Sequence, residues 1–397
     1  MQPSLFPPPT PAATRADALS QLQSFARRSH RYAAERNFVV ADHANVSRLS
    51  SAIQHRLISQ QEVITTVLQH HPLTAVEKFV QEVLWRSYWK GWLEMRPGVW
   101  HDFLHKISAC SESEMERAER VAMGKSGCAV MDEFARELID TGYMHNHARM
   151  WWASFWIHQQ NLPWVLGARH FMKHLLDADA ASNTLSWRWV AGLHTAGKSY
   201  LVRRDNIERY HHAPPVDGFS MLEQVHPLPL NEESEPEQMA YQRFPTTIPL
   251  RSTRAALLIH EEDLSVETTA LRDAMPQAVG FFRRSDDSMS MPRIAWRDAA
   301  FADAATRAAE HFQQPVVSLQ SVTQIINWLQ QQQIQEVLMM APMVGPLQDA
   351  LVDLPSRLEQ SGMQLTMLRR EEDERYFPFA TGGFFTFWKK ASRGIGA

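Results

Sequence analysis

Residues 141–193 read TGYMHNHARMWWASFWIHQQNLPWVLGARHFMKHLLDADAASNTLSWRWVAGL. Thr141-Gly142 is a turn signal, and the helix predicted after it is apolar and aromatic nearly all round, as a buried core helix is. Asn146, Arg149 and Met150 recur three and four residues apart and so share one face of that helix. A polar group in such a place costs stability unless it is partnered. One Asn or one Arg there is ordinary satisfied core chemistry. Their combination with the carboxylate pair of Asp177-Ala178-Asp179 and with clustered tryptophans points to a built site.

Bulk properties narrow the classes. A chain of 397 residues has length for two domains, each with a core. Thirteen Trp against seven Tyr suggests stacking surfaces or an electron path. The formal charge is −4, so contact with nucleic acid must rely on a local patch rather than a global field. Cys110 and Cys128 form no CxxC and are too few to hold an iron–sulfur cluster; they read as reduced thiols of a cytosolic protein. No apolar run reaches the roughly 20 residues of a membrane span, and the first residues have no secretory-signal pattern. A cytoplasmic monomer is expected.

MHNHARM followed by LLDADAASNTLSWRW resembles the flavin-binding signature of the DNA photolyase/cryptochrome family, in which MHN-x-x-RM and D-x-D-x-x-x-N-x-x-x-W wrap the isoalloxazine ring of FAD. The resemblance implies an all-α FAD-binding domain, expected over residues 15–212. It assigns Asp177 to a pair with a flavin-contacting Arg149, Asp179 to the ring and ribityl chain with Ala178 between them, and Asn183 to flavin N5. Trp187 and Trp164 match members of a tryptophan chain that reduces the flavin, with Trp100 and Trp156 as candidates for its outer end. An Asn facing N5 is the repair-type residue; light sensors of plant and insect type have Asp or Cys there.

Elsewhere in the first half the same family pattern recurs. Residues 1–14 are Pro-rich and read as extended or disordered. Tyr32 and Arg36, then Ser47-Arg48-Leu49-Ser50, resemble the family's Tyr-x-x-x-Arg and phosphate loop, with Val46 replacing a common Thr. Hydroxyls and N–H groups at a loop opening a helix suit a pyrophosphate. In AVEKFVQEVLWRSYWKGWLE, residues 75–94, Glu82, Trp85 and Arg86 share a helix face. An isolated Glu–Arg pair at that spacing is an ordinary solvated ion pair, but the intervening Trp85 argues for a cavity wall. The resemblance gives Arg86 to the flavin and its phosphates. It gives Glu82, Trp85, Asn146, Met150 and Trp189 to a flipped-out pyrimidine dimer. His147 stands where an Arg is common. Residues 124–138 resemble the element that precedes the signature. Lys198, Arg203, Arg204 and Arg209, interleaved with Tyr200 and Tyr210, form a basic run suited to phosphates; Lys198 and Arg203 are the DNA-contact candidates.

Residues 213–250 are rich in Pro and Glu and read as a linker. From Arg254, the runs AALLIH, QAVGFF, PVVSL, EVLMMA and QLTML alternate with helical segments, which predicts a doubly wound parallel sheet over residues 251–397. No GxGxxG or P-loop is present. LLIHEEDLSVETTALRDA and FATGGFFTFWKKA resemble the opening and closing of the family's antenna domain, here placed last rather than first. Asp263-Leu264-Ser265 lacks the usual Arg, so a second chromophore is left open.

The implied activity is repair of cyclobutane pyrimidine dimers in damaged DNA by an electron from photoexcited reduced FAD. The alternatives are a cryptochrome-like blue-light sensor, a (6-4) or single-strand-selective photolyase, or a member that binds protein or DNA without flavin. No metal site is expected.

Overall fold

The computed structural model describes residues 11–194, 199–212, 219–222, 225–228, 236–248 and 254–395. Helices fill the first half. Those that position the site are α1 (Arg15–Ala26), α2 (Ser50–Gln54), α3 (Leu73–Glu94), α4 (Gly98–Ser108), α5 (Ala129–Thr141), α6 (Asn146–Ser154), α7 (Trp164–His174) and α8 (Ala180–Val190). The turn signal at Thr141-Gly142 ends α5. Gly142 is left-handed at φ 69° and returns its N–H to Leu138, and a Cβ there would lie 2.7 Å from Leu176. After α6 the helix widens into a π-type turn at Phe155–Gln159 before the chain reaches α7.

In the second half, β1 (Ala255–His260), β2 (Ala278–Phe282), β3 (Val316–Leu319), β4 (Glu336–Met340) and β5 (Gln364–Leu368) form one parallel sheet in the order β3-β2-β1-β4-β5. Each β-type run of the sequence is a strand of this sheet, and DAAFADAATRAAEHF lies within α9 (Met291–Phe312). The segment PLQDALVDLPSRLEQSG does not form a single helix. It breaks into Pro346–Ala350 and Leu354–Gln360, because Pro355 is tolerated only at the start of a helix. The chain closes with α10 (Phe384–Ala391).

Alternation along the strands sends their side chains to two cores. Ala256, Leu258 and Val337 face a satellite cluster with Ile325, Leu329 and Leu358. Leu257, Ile259, Val279 and Leu338 face the other way, into the cluster that also contains the helices of the first half. One apolar core therefore runs from the helices into the sheet.

The order of strands reverses between β1 and β4, the place where doubly wound sheets open a ligand crevice at the carboxyl ends. Here that crevice receives the helical half. Arg369 pairs with Glu94 at 2.9 Å, Val344 donates its N–H to Glu94 at 2.8 Å, and Gly345 sits so close to Ala180 that a Cβ would come within 2.8 Å of it. The remaining space, lined by Lys90, Asp179, Glu262 and Met343 among others, is about 10 Å³, room for about one water. Arg56 reaches Asp373 at 2.5 Å, both side chains buried. The stretch read as a linker is partly tethered: Tyr241 donates to Glu374 at 2.7 Å and Met239 N–H to Met95 at 2.8 Å. Among the described residues, no helix is long and apolar enough to cross a membrane.

Candidate functional site

Three helices that are otherwise buried break their burial at matching places. Between residues 79 and 93 of α3, Glu82, Trp85 and Arg86 alone keep partial exposure. On α6, Asn146 is exposed and His147, Arg149 and Met150 are half-buried, while residues 151–158 beyond them are covered. On α8, the uncovered residues are Ser182, Ser186 and Trp189, which recur at i, i+4 and i+7 and so line one face. These are largely the positions that the sequence motifs single out. They mark a partly open face in an aromatic core, the candidate cleft.

At its floor lies a charge node. Arg86 donates to Asp179 at 2.9 Å, to Asp177 at 3.3 Å and to Gln54 at 2.8 Å. Arg149 donates to Asp177 at 3.1 Å and to the Met144 carbonyl at 2.9 Å. Burial alone would raise the Asp177 carboxyl. Arg149 and Arg86, joined by a hydrogen bond from Ser50, outweigh it and hold the pKa down at about 2. Asp179 also caps α8, accepting from the Ser182 N–H at 2.8 Å. Asn183 is buried and donates from Nδ2 to the Ala168 carbonyl at 2.8 Å.

The loop before α2 closes one side. Ser47 Oγ accepts from the Leu49 N–H at 3.4 Å, Ala52 and Leu49 are buried beneath it, and Arg48 is held left-handed at φ 54° with its guanidinium over Tyr143. A non-glycine residue there costs about 1–3 kcal/mol and is held only by its surroundings. Tyr32 packs edge-on against Phe79, its hydroxyl pKa raised by burial and by Glu82, and Arg36 is paired closely with Glu82. His147 donates to the Asn37 carbonyl at 2.8 Å and packs on Trp151. Buried His145, N-cap of α6, is kept neutral with its pKa near 3 by desolvation and by His43. Its Nε2 has no hydrogen-bond partner, and neither has Ser182 Oγ.

The tryptophans matched to electron transfer fall into two groups. Trp187 is ringed by Phe171 at 5.1 Å, Trp152 at 6.1 Å and Trp156 at 6.3 Å. Trp164 instead stacks near Phe103 at 5.7 Å, and Phe103 meets Trp100 at 5.3 Å. Gly167 joins the groups: a Cβ on it would come within 2.2 Å of the Trp187 ring, one turn along α7 from Trp164. Trp152 is a neighbour that motif spacing did not single out.

The rim has further features the motifs did not predict. Trp85 lies flat against Phe384, centroids 3.8 Å apart and planes 7° off parallel, so one of its faces is covered by the far end of the chain. Trp189 stacks with Tyr200 at 5.7 Å. The basic run is partly neutralised from within, since Arg203 pairs with Asp205 and Arg204 with Glu208. Lys198 lies outside the described residues. Among the described residues no group of three His, Cys, Asp or Glu is placed to hold a metal.

Residues 79–213 match the family model of the FAD binding domain of DNA photolyase. Over these residues the chain is similar to the DNA photolyase/cryptochrome family. Within that family, the deoxyribodipyrimidine photo-lyase of Streptomyces griseus is 34% identical over 150 residues, 38% of this chain and 32% of that protein. The deoxyribodipyrimidine photo-lyase of Escherichia coli strain K12 is 27% identical over 197 residues, 46% of this chain and 40% of that protein. The match thus spans about a third to two-fifths of the length of these relatives. Among solved structures, a bacterial class III photolyase from Agrobacterium tumefaciens aligns with a TM-score of 0.44 at 25% identity, covering 50% of this chain and 42% of that one. A cryptochrome from Synechocystis aligns with a TM-score of 0.39 at 22% identity, covering 51% and 44%.

The cleft fits FAD by its donor set. Arg86 and Arg149 present side chains 14% and 21% exposed, Ser47 and left-handed Arg48 stand on the loop before α2 and Ser50 opens that helix, and two buried polar atoms, His145 Nε2 and Ser182 Oγ, lack partners. Buried polar atoms without protein partners are costly in a folded chain, and water, an ion or a bound group satisfies them.

Proposed function

We propose that the protein is a light-dependent DNA repair enzyme of the deoxyribodipyrimidine photolyase type, with FAD in the cleft and a flipped-out cyclobutane dimer above it. The observation that carries this is the junction of the Arg86/Arg149–Asp177/Asp179 node with two partly exposed tryptophans, Trp85 and Trp189, on facing helices. When bound in its reduced form, FAD supplies one electron on absorbing blue light and recovers it after the cyclobutane bonds have opened.

The chain's own residues do the positioning. Arg149 and Arg86 hold the two carboxylates ionised and fixed, so that polar groups at the cleft floor are preorganised and need no rearrangement. Asn183, held by its bond to Ala168, presents an amide that can donate or accept at the ring edge. Trp85 and Trp189 offer aromatic faces to the lesion, and Glu82, Asn146 and Met150 stand beside them. The buried rings around Trp187 keep water from the floor and connect it to the aromatic core.

Illumination of the reduced protein with a thymine-dimer oligonucleotide, against a dark control, tests this reading. Loss of the dimer in light alone is the expected result, and no loss with FAD bound would overturn it. A second reading, a blue-light sensor that binds FAD and repairs nothing, is favoured by Phe384 lying on Trp85, which leaves one face fewer for a lesion. Flavin photoreduction without dimer turnover would select it.

A further inference from the structure

We propose that α10 is a DNA-contacting wedge on the rim of the cleft: Phe385 stacks into the gap that an extruded lesion leaves in a duplex, and Lys389, Lys390 and Arg393 meet the flanking phosphates. The proposal rests on the repair reading above and adds to it a surface from the opposite end of the chain.

One side of α10 is pinned to the cleft wall. Phe384 lies flat on Trp85, Phe387 is buried at 5.6 Å from Tyr88, and Trp388 Nε1 donates to Glu77 at 3.2 Å. The other side is bare. Phe385 is 73% exposed, and its ring is 5.8 Å from Phe384, so it stands one ring further out from Trp85. A single exposed apolar side chain is common and means little by itself. The setting of this one is different. Gly382 and Gly383, just before it, have open space where side chains would be, so another molecule's backbone can come close.

Charge points to the occupant. Residues 381–393 read TGGFFTFWKKASR, with three basic residues and no acidic one, in a chain whose formal charge is −4. Lys389, Lys390 and Arg393 are exposed, with Lys390 standing over the Phe379 ring at 5.9 Å. Arg375 joins this patch, its guanidinium packed where a Cβ on Gly394 would be. This is a local basic patch of the kind that an acidic chain needs for nucleic acid. An aromatic ring projecting beside such a patch and beside a base-accepting cleft suits a duplex with one nucleotide drawn out, because apolar side chains fill the space in the stack.

The full-length protein tests this by fluorescence anisotropy with three probes: a duplex containing a thymine dimer, the undamaged duplex, and a single strand containing the dimer. Phe385→Ala is expected to weaken binding to the damaged duplex by about tenfold, the scale of one lost base–aromatic stack, and to leave the damaged single strand unchanged. Lys389→Ala/Lys390→Ala is expected to weaken all three and to lower the salt slope by about 2. Equal loss on duplex and single strand, or no loss, would overturn the wedge while leaving the repair reading intact. Wild-type protein with no preference for damaged DNA would sink both. A change of oligomeric state in Phe385→Ala, without a change in DNA affinity, would mean that the ring covers a second copy, and the proposal fails.

Discussion

Asp177 is buried between two guanidiniums, and its carboxyl is held near pKa 2 against an unfolded value near 3.8. A carboxyl lowered in this way contributes stability above its unfolded pKa and loses it as the pH falls through its folded pKa. The shift corresponds to about 2 kcal/mol at neutral pH, fading between about pH 4 and 2. Asp177→Asn removes that and leaves Arg149 without its carboxylate, so a loss of about 3 kcal/mol is expected in urea unfolding at pH 7. Repeated at pH 3, the difference from wild type should shrink; an equal difference at both would remove the node from the account. At this scale the sequence was most readable. The pairing of Asp177 with Arg149 was legible through the motif, although Arg86 on α3, Arg149 on α6 and Asp177 before α8 lie on three separate segments. The partners of the basic run were less legible: Asp205 and Glu208 neutralise Arg203 and Arg204 because neighbours on one short segment find each other first.

Among the elements, the contact of α7 with α8 decides how closely the indoles can pack. Gly167 lets the Trp187 ring lie directly on the α7 backbone, and any side chain would meet it at 2.2 Å. Gly167→Ala is therefore expected to destabilise by about 1–3 kcal/mol through overpacking and to slow flavin photoreduction by shifting Trp187. Transient absorption measures the second effect, and a stable variant with unchanged photoreduction would take Trp187 off the electron path. The five strands were legible because short apolar runs alternate with helical segments over this half of the chain. The stack of Trp85 on Phe384 was not, since it joins residues 299 positions apart and no local pattern records which helix covers which. Trp152 beside Trp187 was hidden for the same reason: in a helix apolar on all sides, periodicity does not say which indole faces which neighbour.

The whole molecule is joined through the crevice of its sheet. Glu262 lies there with Lys90, accepting the Met343 N–H at 2.8 Å. Desolvation, with help from Glu261 and Glu94, raises its pKa to about 7 against the lowering pull of Lys90. A raised carboxyl favours the folded state below its unfolded value, and that contribution is lost as the pH rises through its folded value. Stability should thus decline between about pH 5 and 8, and Glu262→Gln should flatten the decline; thermal unfolding across that range checks it, and an unchanged slope would contradict it. The order of the halves was visible in the composition shift near Arg254. The way in which the crevice takes up Glu94 and Ala180 was not, because it depends on how two surfaces meet.

Titration of flavin-free protein with FAD, followed by flavin fluorescence, tests most directly the claim that the cleft is a flavin site. One saturable site per chain is predicted, weakened about tenfold or more in Arg149→Met, where Asp177 loses one partner and the cleft a donor. Folded wild-type protein that takes up no FAD, or binds it equally well in the variant, would contradict the account.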